Sequence, residues 1–236
     1  MSEFRLSFPA WLLAGKSRLS AEDVLTLRRI SFPDGIRASE DAALLMSIHN
    51  SIPEKCDEWH GFFIGGLADF VVNHSYPQGS LDDANAAWLI QALSSDGVVQ
   101  AQSEFEVLMQ VIDISANVPP ALGAFAIDQL RYALAAGTSA YREVRSIDSR
   151  GITRHDVEFV RHVLRHAIDP SGIVLSAVEI EALDRAALAS DPLANHPDWA
   201  RLRKAVRTKR SENTPRIRWL RVSDDMLAEG NTEAAA

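Results

Sequence analysis

The chain contains a single cysteine, Cys56, among 236 residues, so no disulfide bond can form within it. This fits a reducing compartment, and we expect a cytoplasmic protein. A catalytic thiol would need a neighbouring histidine, and His60 lies one helical turn further on. Because a free cysteine is usually a packed side chain, Cys56 is predicted to be a small residue in or beside the core.

Long hydrophobic runs and aromatic residues are also scarce. No run approaches the ~20 apolar residues of a membrane-spanning helix, so no membrane association is expected. The apolar stretch 10–14 follows Pro9 and is too short for a secretory signal. Residues 1–18 are therefore predicted to form an arm that packs on the body. Only 7% of residues are aromatic, while alanine and leucine are abundant, which favours helices over strands.

Recognisable catalytic motifs are missing as well. The chain has no Gly-x-Ser-x-Gly, phosphate-binding loop, Gly-x-Gly-x-x-Gly, Cys-x-x-Cys or His-Glu-x-x-His sequence. Its carboxylates cluster at predicted helix starts, where capping explains them. We therefore expect a protein that is not an enzyme, with no catalytic and no cofactor-binding residues. A helical enzyme whose site is assembled from distant residues stays an open alternative, because such sites are defined by geometry.

A recurring short sequence motif is the most informative feature that the sequence does contain, and we call it the glycine phrase. A glycine is followed by apolar residues and, a few residues later, by a helix start. The glycines of this phrase are Gly35, Gly79, Gly97, Gly151 and Gly172. Each glycine is expected to supply a left-handed turn. A hydroxyl residue with an acid three positions later forms a capping box, and the predicted boxes are Ser20–Asp23, Ser103–Glu106, Thr153–Asp156 and Ser176–Glu179.

These glycine turns and helix starts predict an all-α fold of about nine helices in a compact array of helix–loop–helix repeats. Short extended bridges are expected between paired loops. The helices are predicted over 20–31, 39–52, 54–75, 82–94, 102–116, 120–136, 153–168, 176–190 and 197–210. The predicted organisation is a first helical unit (19–137), a connecting loop (138–152), a second helical unit (153–210), and a basic segment with a disordered acidic tail (211–236).

The stretch from Leu19 to Arg207 resembles a family of uncharacterised bacterial helical proteins. The motifs that carry the resemblance are Phe32-Pro33-Asp34-Gly35, Trp59-x-x-Phe62-Phe63, Ala87-Trp88-Leu89-Ile90 and Asp96-Gly97. The Asp-Gly loops are also similar to those of tellurite-resistance TerB-like domains and of degenerate EF-hands. The second half departs from the pattern, since Ser171 precedes Gly172. The resemblance implies a helical-repeat fold and no established activity.

Calcium is a poor match to these loops. An EF-hand needs oxygen ligands at loop positions 1, 3 and 5, glycine at 6 and glutamate at 12. With Gly97 at position 6, position 1 is Ala92 and Glu104 falls one place too late. We therefore do not expect calcium binding.

A histidine stripe is the better metal candidate. His155, His162 and His166 share one face of the predicted 153–168 helix, and Glu158 lies on it too. Two histidines at i and i+4 can begin a zinc, copper or nickel site, with His74 or Asp169 as a further ligand. The plainer interpretation is that these imidazoles border the core. The stripe supports an alternative function, a metal-binding stress-response protein of TerB-like type.

The charge distribution favours a different function. Between Trp199 and Val222, nine basic residues face one acid, whereas the rest of the chain has 15 basic and 31 acidic residues. An acidic protein partner is expected here, and nucleic acid is not, because the acidic body repels phosphate. The segment could instead dock on its own body. The leading hypothesis is a non-enzymatic interaction or adaptor protein that binds through Arg207, Arg210, Arg216, Arg218, Trp219 and Arg221.

Overall fold

The structure is a computed structural model that describes residues 15–94, 96–135, 138–145, 149–169 and 172–208. It is mainly helical, with ten α-helices and only short strands in these ranges, which confirms the all-α class. The α-helices are α1 (Ala21–Ile30), α2 (Ser39–Ser51), α3 (Asp57–Asp69), α4 (Asp83–Leu93), α5 (Gln102–Ile114), α6 (Pro120–Ala135), α7 (Tyr141–Val144), α8 (Arg154–Val163), α9 (Ala177–Ala189) and α10 (Pro197–Ala205).

Two other helical segments extend α-helices, and five short strands join loops. A π-helical segment, Phe70–His74, continues α3, and a 3₁₀ turn, Leu164–Ala167, continues α8. The strands are β1 (Arg18–Leu19), β2 (Glu54–Lys55), β3 (Ile168–Asp169), β4 (Gly172–Leu175) and β5 (Val206–Thr208). Within the described ranges, no helix is both long enough and apolar enough to cross a membrane.

Most predicted helices lie within a few residues of observed ones, and two differences have physical causes. The one-turn helix α7 lies inside the predicted loop 138–152, too short to give a periodic signal. The predicted helix 197–210 ends early, because Val206 is extended and pairs with Ile173 in a parallel ladder. Residues 209 and 210 lie outside the described part of the chain.

The recurring glycines take two different roles. Left-handed backbone is observed at Gly35, Gly79, Gly97 and Gly172, with φ between +78° and +127°, as predicted. Gly151 instead allows a close approach. A Cβ atom there would lie 2.3 Å from the carbonyl oxygen of Ala194.

Three of the four predicted capping boxes are present, at Ser20, Thr153 and Ser176. The fourth, Ser103–Glu106, is wrong. Helix α5 begins at Gln102, and the Glu104 carboxylate accepts a hydrogen bond from the Ala101 amide at 3.2 Å. Ser103 is therefore already inside the first turn, where its side chain is buried.

Short backbone bridges join the loops between helices. Strand β4 lies between antiparallel β3 and parallel β5, and β1 pairs in parallel with β2. Two loops make similar contacts without forming strands: the Ala140 amide donates to the Val99 oxygen, and the His196 amide donates to the Ile152 oxygen, each at 2.8 Å. The residues after Gly97, Gly151 and Gly172 thus bridge loops, as expected.

One hydrophobic core runs through helices on both sides of the connection 138–152. Helices α6 and α9 pack extensively against each other, although they belong to different predicted units. Trp59, Phe63 and Tyr141 are among the largest fully buried side chains. Each contributes roughly 1.5–3 kcal/mol or more through burial. The division into two units stays a prediction.

Candidate functional site

Two of the four predicted metal ligands meet at the C-terminal end of α5. His162 Nε2 lies 2.6 Å from an Asp113 carboxylate oxygen, and His166 Nε2 lies 3.1 Å from the Ile112 carbonyl oxygen. Arg165 donates to the same two acceptors. Basic groups are favourable at a helix C-terminus, where carbonyl groups lack partners within the helix. The arrangement therefore caps α5 with groups from α8 and its 3₁₀ extension.

The other two predicted ligands point elsewhere. His155 Nδ1 lies 3.4 Å from the Tyr141 hydroxyl, and exposed Glu158 accepts from Arg154 Nε at 2.9 Å. His74 pairs with Asp69 on its own helical segment. No group of three His, Cys, Asp or Glu side chains in the described ranges could hold a metal ion. The metal site stays a prediction.

The predicted partner-binding segment is described only at its start. The backbone of Arg207 lies in β5, where it pairs with Val174 of β4. The remaining predicted residues fall outside the described part of the chain; they are Arg210, Arg216, Arg218, Trp219 and Arg221.

A buried imidazole was not anticipated from the sequence. His49 of α2 is only 4% exposed and stacks on Phe63 with ring centroids 3.8 Å apart. Its Nδ1 accepts from Trp59 Nε1 at 3.2 Å, so the neutral ring carries its proton on Nε2, 3.3 Å from the Ser103 hydroxyl. Burial lowers the pKa of His49 to about 4, helped by the positive charge of Lys55 and by His60. Both ring nitrogens are engaged, which indicates a structural role.

A groove lies beside α1 and α3. It consists of two adjoining cavities of about 560 and 450 Å³, which share Arg28 and Phe62. We call this feature the α1–α3 groove. Its lining residues are Glu22, Leu25, Thr26, Arg28, Arg29, Phe32, Pro33, Gly35, Glu58, Gly61, Phe62, Gly65 and Gly66.

The middle of the groove is aromatic and cationic. Phe62 packs against Phe32 with ring centroids 5.6 Å apart, and the Arg28 guanidinium lies 5.4 Å from the Phe62 centroid. Leu25 is 65% exposed at its edge. An exposed leucine beside an accessible aromatic ring is an apolar surface of the kind that partners cover.

Arg28 and Arg29 form no ion pair with any residue that the structure describes. By contrast, Arg131 and Arg185 both pair with Asp128. Arg28 lines both cavities and so lies where they meet, whereas the two acidic residues of the groove each line only one. A guanidinium group, that of Arg28, therefore lies at the centre of the groove.

The three glycines of α3 have two different surroundings: one packs against a neighbouring element, and two face open space. A Cβ atom on Gly66 would lie 3.0 Å from Ile36, which explains a small residue at this helix crossing. Gly61 and Gly65 face open space, with no atom within 4 Å of an added Cβ. One wall of the groove is thus bare helix backbone, which lets another chain approach closely.

No protein-family model, curated protein or solved structure matches this chain. The resemblance to bacterial helical proteins and TerB-like domains stays a prediction.

Proposed function

We propose that this is a non-enzymatic cytoplasmic interaction protein that binds an acidic amphipathic helix of a partner in the α1–α3 groove. The observation that carries the proposal is the pair Arg28 and Arg29, which lack carboxylate partners among the described residues and border exposed apolar surface. An arginine at such a site gains most from a carboxylate that the partner supplies.

A helix suits the shape of the groove. Helix α1 has ten residues, about 15 Å long, and the open backbone at Gly61 and Gly65 on α3 leaves room beside it. An amphipathic helix would place apolar side chains at i, i+3, i+4 and i+7 against Leu25 and Phe62. Its acidic residues would then face the two arginines.

The arginine-rich C-terminal segment is proposed as a second contact with the same partner. It begins with Arg207 in β5 and carries the same sign of charge as Arg28 and Arg29. Long-range attraction would speed association and weaken with salt. Metal binding of the TerB-like type stays the alternative, and a third ligand beside His162 and His166 is the observation that it needs.

The groove is tested with a defined peptide and a charge-reversed variant. The probe is a fluorescein-labelled peptide of about 14 residues, with leucine at helical i, i+3, i+4 spacing and glutamate elsewhere. Fluorescence anisotropy should show saturable binding to the full chain and at least about tenfold weaker binding to R28E/R29E. The peptide with lysine in place of glutamate should bind the wild type at least about tenfold more weakly than the acidic peptide does.

The matched control is R154E/R161E, which makes the same charge change on exposed positions of α8. It should bind the peptide as the wild type does. Equal losses in both double variants would reject the groove in favour of non-specific charge attraction. No loss in R28E/R29E would also reject it.

A chain ending at Arg210 tests the second contact separately. Truncation should weaken peptide binding at low salt while leaving the groove effect intact. In capture from native lysate with nuclease, a protein supports the proposal only if it carries an acidic helix and is lost in R28E/R29E. If truncation changes nothing, the role of the arginine segment is wrong and the groove is unaffected.

A further inference from the structure

A separate cavity of about 280 Å³ lies on another part of the molecule, where the start of α6, the 3₁₀ turn, β4 and the start of α9 come together. Its walls include the apolar side chains of Val118, Leu164 and Val174. Asn117, His166 and Glu179 also line it, but no arginine or lysine does among the residues described.

Glu179 places a buried carboxylate in this cavity. The residue is only 8% exposed, and its Oε2 accepts from the Ser176 amide at 2.9 Å and hydroxyl at 2.7 Å. Its Oε1 accepts from no described residue. Oε1 is not among the fully buried atoms that lack a partner, so it is accessible from the cavity and available to a ligand that donates a hydrogen bond.

Gly123 of α6 keeps this oxygen accessible. A Cβ atom on Gly123 would lie 3.3 Å from Glu179 Oε1, and no other atom would be nearer. The glycine lies in the first turn of α6, where alanine would be the better helix former. The missing Cβ atom leaves open the space beside the carboxylate.

The other polar groups of the cavity also offer acceptors. Asn117 donates its side-chain N–H to the Leu81 carbonyl at 3.3 Å, which leaves its own carbonyl oxygen available. His166 uses Nε2 toward the Ile112 carbonyl, so Nδ1 of the neutral ring is an acceptor. A cavity that offers acceptors and a negative charge suits a ligand that donates hydrogen bonds and is positively charged.

We propose that this cavity binds a small organic cation, a primary ammonium group on a short apolar chain. The ammonium would donate to Glu179 Oε1, and its methylene groups would pack against Val118, Leu164 and Val174. The volume equals that of roughly nine water molecules at about 30 Å³ each, enough for about six to eight non-hydrogen atoms. The site is independent of the α1–α3 groove.

The probe is n-hexylammonium chloride, titrated into the full chain at neutral pH and followed by amide chemical shifts in NMR. Saturable shifts should concentrate around the starts of α6 and α9 and the 3₁₀ turn, with a millimolar or lower Kd. Hexan-1-ol has the same length without the charge and should bind at least about tenfold more weakly.

Two variants and one control make the test specific. E179Q removes the charge but keeps an oxygen that can cap α9, since glutamine also serves in capping boxes, and it should weaken binding at least about tenfold. G123A places a methyl group beside Oε1 and favours the helix, so the fold should be retained while binding is lost. G61A adds the same methyl group to α3 and should bind as the wild type does.

The proposal is overturned if the wild type shows no saturable shifts, or if hexan-1-ol binds as tightly as the amine. Unchanged binding in E179Q or G123A would also overturn it. So would displacement of the amine by calcium or zinc at equal concentration, because the cavity would then be a metal site.

Discussion

At the residue scale, the glycines of one recurring motif serve two purposes, left-handed backbone and close approach of another loop. Four of them adopt left-handed backbone, where other residues pay a steric cost. Gly151 is needed for proximity, since its loop is tied to the loop before α10. The Ile152 amide donates to the Asn195 side chain at 2.7 Å, and the Asp191 amide donates to the Arg150 oxygen at 2.9 Å.

Gly151→Ala should therefore destabilise the protein. The added methyl group would collide with the Ala194 backbone, which is held by the bridge between the two loops. A forced shift of this kind costs about 1–3 kcal/mol. Urea unfolding followed by circular dichroism at neutral pH measures the loss.

Gly61→Ala is the matched control for that change. Its new methyl group meets no atom within 4 Å and lies inside α3. It should stabilise the protein by about 0.5–1 kcal/mol, because alanine is a better helix former than glycine. If both variants changed stability in the same direction, close approach would not be the reason for glycine at position 151.

At the element scale, a buried ion pair stabilises the unexpected helix α7 against α8. Arg145 donates to both carboxylate oxygens of Asp156, through Nε and Nη2, at 3.0 Å each. The Tyr141 hydroxyl also donates to Asp156 at 3.0 Å, and the pKa of Tyr141 is raised strongly by burial and by the nearby carboxylate. Asp156 thus acts both as the cap of α8 and as the anchor of α7.

Arg145→Met should lower the free energy of unfolding by about 3–5 kcal/mol, because it leaves the Asp156 carboxylate buried without its cation. Arg154→Met, which breaks the exposed pair with Glu158 on the same helix, should cost no more than about 0.5 kcal/mol. Both values come from urea unfolding. The addition of Asp156→Asn to Arg145→Met should recover part of the loss, and strict additivity would contradict coupling between the two residues.

At the scale of the whole molecule, one core couples distant helices, so a single buried group affects global stability. His49 joins α2 to Trp59 of α3 and to Ser103 of α5, which is 54 residues away in sequence. Because its folded pKa of about 4 lies below the unfolded value of 6.5, the unfolded chain binds the extra proton first as the pH falls. The contribution of neutral His49 to the free energy of unfolding is therefore complete above pH 6.5, and it is lost as the pH falls from 6.5 to about 4.

The wild type should therefore lose about 3 kcal/mol of unfolding free energy across this window through His49 alone. His49→Gln cannot titrate but still offers Trp59 an acceptor, so its stability should change less over the same range. Urea unfolding at several pH values between 7 and 4 measures the difference. Parallel pH profiles for the two proteins would show that His49 does not control the loss.

The predicted histidine stripe shows that a helix face predicts which residues are neighbours on that helix but not their partners on other helices. The spacing of His162 and His166 places them together, and the structure agrees. Their partners, Asp113 and the Ile112 carbonyl, lie about fifty residues earlier, and no local pattern indicates them. The α1–α3 groove was missed for the same reason, since it needs two helices that sequence alone does not pair.

The amino-acid sequence by itself determined most of the helices, their caps at Ser20, Thr153 and Ser176, and four left-handed glycine turns. These features depend on contacts within about four residues, where chain connectivity already brings the groups together. Only the tertiary structure decided which polar groups meet, such as His49 with Ser103 and Glu179 with Gly123, because burial and partnership depend on how the helices pack. The groove and the acceptor-lined cavity both belong to this second class.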